Sequence, residues 1–102
     1  MYVMDDTIHA SAIIAGGSKL SRRALRDVVS HECCRVIEAC DGVEAYELSR
    51  RYVPDVIVLS DENGLEKIRR DHELATVPVI CVDGPMEPAE LTARVRAALQ
   101  RQ

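Results

Sequence analysis

"VIVLSDENG", residues 56–64, is the stretch that decides how this chain folds. Four aliphatic residues, Val56 to Leu59, run without a polar break into Ser60, and Asp61, Glu62, Asn63 and Gly64 follow. A short continuous apolar run bounded by turn residues predicts a strand buried on both faces, as in a parallel sheet. The turn after such a strand lies at the carboxyl edge of the sheet, where α/β domains place their functional loops.

The same unit of strand, turn and helix repeats on either side. Upstream, "HASAIIAGG" holds an apolar run from Ala12 to Ala15, broken by Gly16-Gly17. "SKLSRRALRDVVSHE" then predicts a helix with Ser18 as N-cap, with Leu20, Ala24, Leu25, Val28 and Val29 on its inner face. "CCRVIEAC" predicts a short strand closed by Asp41-Gly42. "VEAYELSRRYV" predicts a helix burying Val43, Tyr46 and Val53, ended by Pro54. Downstream, "LEKIRRDHEL" predicts a shorter helix with Leu65 and Ile68 inward, and "VPVICV" a fourth strand with Pro78 at its start. "GPMEP" turns the chain into a last helix, with Pro88 in its first turn and Leu91, Val95, Ala98 and Leu99 on one face. Four alternating units of this length predict parallel strands, right-handed crossovers and helices on both sides of the sheet.

Composition narrows the function classes. At 102 residues the chain is one domain, and with 47% hydrophobic residues it can bury a core. That core is aliphatic, because Tyr2, Tyr46 and Tyr52 are its only aromatic residues. A net charge of -4 argues against binding nucleic acid through its phosphates. No apolar run approaches the ~20 residues that span a bilayer, and no leader pattern opens the chain. The expectation is a cytoplasmic protein. Cys33, Cys34, Cys40 and Cys81 have neither zinc-ribbon nor CxxC spacing and read as reduced thiols. Cys34 and Cys81 lie in apolar strand contexts, where cysteine acts as a small hydrophobe. His9, His31 and His72 fall on separate elements, with no nucleophile and base in evident reach, so the expectation is no enzyme, no metal and no cofactor. Residues 1–8, including Asp5-Asp6, read as an N-terminal extension to a single domain over 9–102.

The ordered set "RRAL", "EACDG", "EAYEL", "PDVIVLS", "VPVICV" and "EPAELTARVRAAL" resembles a response-regulator receiver domain over about residues 10 to 100. The resemblance implies a flavodoxin-like α/β fold, here truncated to about four strands in order 2-1-3-4 with helices on both faces. The family transfers a phosphoryl group to an aspartate with the help of Mg²⁺. Placed residue by residue, its machinery is missing. The acidic pair after the first strand falls on Gly16 and Gly17, the phosphoacceptor on Ser60, the hydroxyl residue after the fourth strand on Asp83, and the lysine on Gly84, which precedes Pro85. Mg²⁺ wants a cage of hard oxygens, and these positions offer little of one. The family's fourth helix and fifth strand also have no counterpart, because "VPVICV" runs almost directly into "GPMEP".

Losing the fifth strand leaves the fourth at the edge of the sheet, with unpaired backbone groups and no charge to protect them. Val77, Val79, Cys81 and Met86 then form a candidate interface with a protein partner or a second copy, and a homodimer is expected. The leading expectation is a stand-alone, degenerate receiver that signals by phosphorylation-independent protein–protein interaction. A solvated or partner-facing acidic patch at Asp61–Asn63 and Asp83 accompanies it. Arg22 and Arg23, beside the first loop, are candidate docking residues. The alternative is a module binding a small anion or nucleotide through Gly16, Gly17, Ser18 and Lys19, since a glycine turn opening a helix attracts phosphate. The stretch matches neither common phosphate-loop motif.

Overall fold

Ala12 to Ala15 and Val56 to Leu59 are wholly inaccessible to solvent, and they form the two central strands of the sheet. The computed structural model describes residues 10–16, 18–60, 63–82 and 86–100. Its elements are β1 (Ser11–Ala15), α1 (Lys19–Val29), β2 (Arg35–Ala39), α2 (Gly42–Tyr52), β3 (Val56–Leu59), α3 (Leu65–Arg70), β4 (Val79–Cys81) and α4 (Pro88–Gln100). All pairings are parallel and the order is β2-β1-β3-β4. Only residues 83–85 separate Val82 from Met86, too few for a further helix and strand. The proposed extension, with Tyr2, Asp5, Asp6 and His9, lies outside the described residues.

Because strand side chains alternate between faces, the buried runs split into two cores. Ala12, Ile14, Val56, Val58, Ile80 and Val82 pack with α1 and α4. Ile13, Ala15, Ile57 and Leu59 pack with Ala45 of α2, Ile68 of α3 and Leu74 from the turns that follow. The start of the sheet is pinned by Asp55, whose carboxylate accepts from the Ser11 N–H at 2.8 Å while its own N–H donates to the Ser11 carbonyl at 2.9 Å.

The helices bury narrower stripes than the sequence predicts. In α1, Ser18 is the N-cap, and its hydroxyl accepts from the Ser21 N–H at 3.0 Å. At about 100° per residue, Val29 lies about 40° from Leu25, Ala24 about 100° and Leu20 about 140°. Leu25 and Val29 are buried, while Ala24 is exposed and Leu20 is 80% exposed. In α2 the small residues Ala45 and Ser49 face the sheet. Val43 lies about 160° from Ala45 and is exposed, as is Val53, while Tyr46 is half-buried. Val53 stands outside the helix as its C-cap, at φ 37°, with its N–H on the Ser49 carbonyl.

Helix α3 stops at Arg70, short of the predicted Leu74, because the Asp71 backbone turns extended and residues 71–77 form successive turns. Leu74 is nonetheless buried from its turn. Cys34 is exposed, contrary to its expected apolar role, and its neighbour Cys33 is the buried one. Burial foremost, then Asp55 and Glu32, push the Cys33 thiol up to about 11, which leaves it unreactive. Cys81 is half-buried at the sheet edge.

The Ser49 hydroxyl is fully buried and has no hydrogen-bond partner among the described residues. An unmade buried hydrogen bond costs about 1–3 kcal/mol. Ser49→Ala should therefore stabilise the fold by about 1 kcal/mol and raise Tm by roughly 4–8 °C in thermal unfolding. An unchanged or lowered Tm would mean that the hydroxyl is satisfied.

Candidate functional site

The carboxyl edge of the sheet brings Gly16, Ser60 and the first two turns of α1 together. β1 and β3 end side by side, with Ala15 beside Leu59, and the Ser60 N–H donates to the Ala15 carbonyl at 2.9 Å. This sets Ser60 against Gly16 so closely that a Cβ on Gly16 would lie 2.8 Å from Ser60 Oγ. The same Cβ would stand 3.3 Å from Arg22 Cγ and 3.5 Å from Ser21 Cβ. The space a side chain at position 16 would need is already filled.

Ser60, Arg22 and Ser21 fill it together. Helical side chains lean toward the N-terminus of their helix, so an arginine in the second turn reaches back over the preceding loop. Its Nη1 donates to the Gly16 carbonyl at 2.8 Å, and its Nε lies 3.7 Å from Glu38 Oε1 on the neighbouring edge strand. Arg26, one turn on, donates to the other Glu38 oxygen at 2.8 Å. The carbonyl that follows β1 thus holds a guanidinium, with Glu38 between Arg22 and Arg26 beside it.

Among the described residues, this arrangement offers a divalent cation no cage of oxygens. Glycine at 16 supplies only a carbonyl, which Arg22 occupies, and a cation there would meet the guanidinium. No group of three or more His, Cys, Asp or Glu able to hold a metal occurs among the described residues. Gly17, Asp61, Glu62, Asp83, Gly84 and Pro85 lie outside those residues. Of the candidate anion loop, Ser18 and Lys19 are exposed, and the Ser18 hydroxyl is engaged within the helix by Ser21.

The loop after β3 is held to α2 backbone to backbone. A Cβ on Gly42 would fall on the Asn63 carbonyl, and one on Gly64 on the Gly42 carbonyl. Gly64 also sits at φ 84°, a conformation that favours glycine. At the head of α2, Asp41 caps the Glu44 N–H at 2.8 Å, and Glu44 accepts from the Cys40 N–H at 2.7 Å and from its Sγ at 3.1 Å. Those bonds hold the Glu44 carboxyl below its usual range and push the Cys40 thiol up. On the far side of α2, burial works to raise Asp71, but it is outweighed. The Glu73 N–H, the Tyr46 hydroxyl at 3.0 Å and Arg50 at 3.4 Å hold Asp71 below its usual range.

The candidate interface lies elsewhere, at the far edge of the sheet. Ile80 and Val82 are covered from the α4 side, and Val77 and Val79 pack against the α3 side but stay half-exposed, as do Cys81 and Met86. Helix α4 covers one face of β4 and leaves its outer edge open. The place of Arg22 beside Gly16 is legible in hindsight: it lies about 60° from Leu25, on the buried side of α1.

No protein-family profile matches the chain. Among curated proteins, it is 33% identical over 91 residues to a protein-glutamate methylesterase/protein-glutamine glutaminase of Pyrococcus abyssi, covering 80% of this chain and 24% of that protein. It is 32% identical over 79 residues to the polar-differentiation response regulator DivK of Brucella ovis, covering 71% of this chain and 64% of that protein. The chain thus spans less than two-thirds of these relatives' length. Among solved structures, it superposes on a response regulator receiver modulated diguanylate cyclase of Pelobacter carbinolicus with a TM-score of 0.78 at 22% identity, covering 90% of this chain and 93% of that one. A chemotaxis response regulator of Vibrio cholerae gives a TM-score of 0.76 at 15% identity, covering 89% and 99%. At these identities the structural likeness speaks for the fold.

The packing of Gly16 on Ser60 predicts a coupled pair. Gly16→Ala should cost roughly 1 kcal/mol, and less once Ser60→Ala removes the hydroxyl, with a coupling energy of about 0.5 kcal/mol or more from urea unfolding. Strictly additive losses would mean that the two side chains do not meet. Glu44 and Asp71, both lowered, contribute stability that is complete above the ordinary carboxylate range of about 4 and is lost as pH falls through it. The urea midpoint should therefore hold from pH 7 to about 5 and then drop, with a shallower drop in Asp71→Asn.

Proposed function

This chain is a receiver domain of the response-regulator type in truncated form, and we propose that it acts in signal transduction as a phosphorylation-independent protein-interaction module. One observation carries the reading: the Ser60 hydroxyl and the Arg22 guanidinium close over Gly16, at the end of the sheet where the family holds its metal and its acceptor. Stabilising a transferring phosphoryl group takes positive charge aimed at that group, and an acceptor to receive it. Here Arg22 is spent on a backbone carbonyl, and a serine stands in the acceptor position.

On this reading residues 9–102 work as one cytoplasmic domain with 1–8 as an extension, and the domain binds rather than catalyses. Gly16, Gly17, Ser60, Asp83 and Gly84 are the vestiges of the phosphorylation site. Function passes to the open edge at β4, with Val77, Val79, Cys81 and Met86 meeting a protein partner or a second copy. Anion binding at Gly16, Gly17, Ser18 and Lys19 is the weaker reading, because the Ser18 hydroxyl is already engaged by Ser21 and the outward group of Gly16 is an acceptor.

Incubation with Mg²⁺ and acetyl phosphate tests the reading. The intact mass should show no phosphoryl adduct, and the amide spectrum around Gly16 and Ser60 should not move on adding Mg²⁺ alone. An adduct mapped to Asp61 or Ser60, or a saturable Mg²⁺ shift, would overturn it.

A further inference from the structure

The outer edge of β4 is complementary to itself. The Ile57 N–H donates to the Pro78 carbonyl at 3.0 Å, and the Val82 N–H donates to the Leu59 carbonyl at 2.7 Å, in the register Ile57 with Val79 and Leu59 with Cys81. A parallel ladder alternates its polar groups from residue to residue. Pro78, Ile80 and Val82 therefore turn their backbone groups inward to β3, and Val79 and Cys81 turn both N–H and C=O outward. Two outward residues of this kind, two positions apart, are what a symmetric antiparallel pairing requires.

We propose that a second copy of this chain pairs antiparallel along β4, with Val79 of each copy opposite Cys81 of the other and the twofold axis at Ile80. The inference rests on the reading of β4 as an interface and names its occupant. The pairing joins two four-stranded sheets into one. In it, each outward N–H of Val79 and Cys81 meets an outward C=O of the other copy. A parallel pairing would set Val79 opposite Ile80, which no twofold axis reproduces, so it could not close into a dimer. Side-chain chemistry agrees. Residues 77–82 carry no charge, so no like charges meet across the axis. Val79 and Cys81 lie half-exposed on one face, and the pairing packs each against the other's counterpart.

The size of the contact sets its strength. A stable dimer buries about 800 Å² per partner, and a three-residue strand cannot supply that even with Val77 and Met86 at its flanks. The pair is thus a weak dimer that forms as concentration rises.

Sedimentation equilibrium of the full chain over a wide concentration range reads this directly. Mass should climb from the 11.3 kDa monomer toward twice that value. Cys81→Pro removes one outward N–H and no inward one, a position where an edge strand tolerates proline. It should stay monomeric at concentrations where the parent is mostly dimer, with an unchanged far-UV spectrum. As a second measurement, Cys34→Ser/Cys40→Ser leaves Cys81 as the accessible thiol described, Cys33 being buried. The two Cys81 residues would be diagonal neighbours about 7–8 Å apart, so a short bismaleimide should give a covalent dimer in proportion to the sedimented one. A parent monomeric throughout, a folded Cys81→Pro chain that associates like the parent, or a sedimented dimer that the bismaleimide does not link would each overturn the inference. If the self-pairing fails while acetyl phosphate still leaves the chain unmodified, only the occupant of the edge is wrong. An adduct would instead remove the functional reading beneath it.

Discussion

β1 and β3 are buried on both faces, and the rest of the molecule follows from that requirement. A strand with Ile13 and Ile14 on opposite sides cannot tolerate water on either, so the sheet needs helices above and below it. Helices α1 and α4 meet the need on one side and α2 and α3 on the other. The edge strands carry a lighter demand. β2 turns Arg35 and Glu38 to solvent, and β4 keeps only Ile80 fully covered within its three residues. A receiver can therefore lose the unit beyond β4 and keep its fold, provided the last helix still lies over Val58 and Ile80. Leu91, Val95 and Ala98 do that.

The same economy governs the loops. The carboxyl ends of β1 and β3 come together because their strands are adjacent and in register, whatever residues stand there. In a family built around an acidic pair and an acceptor, that convergence makes a reaction centre. With glycine at 16 and serine at 60 it makes a contact between a small side chain and a backbone. The geometry of the fold is kept while these two residues differ, so the fold alone is a poor guide to the activity.

The central strands were legible in the sequence because continuous aliphatic runs have few ways to be buried, while their order came from the resemblance to the receiver family. The helix faces were less so. Leu20, Val43 and Val53 were expected inside because they are apolar, yet small residues, Ala45 and Ser49, are what let α2 approach the sheet. Periodicity identifies a stripe, but the contact distance decides its centre, and that distance depends on partners far along the chain. Cys34 and Cys33 differ in the same way: adjacent residues point apart, and the bond from the Cys34 N–H to the Ala10 carbonyl sets which one faces in. At the site, Gly16 and Ser60 are read directly from the sequence, and the structure sets them side by side. That Arg22 would reach back over Gly16 had one faint signal, its place about 60° from Leu25 on α1, because an arginine at a helix surface is otherwise expected to face solvent.

Arg22 has one further consequence. On the proposed function, the Arg22 guanidinium held on the Gly16 carbonyl leaves this end of the molecule without a phosphoryl-driven switch. A signalling component whose structure does not switch can still carry information in how many copies a cell makes and how quickly it removes them. For such a chain, gene expression and proteolysis take the place that a kinase and a phosphatase hold for a switching receiver.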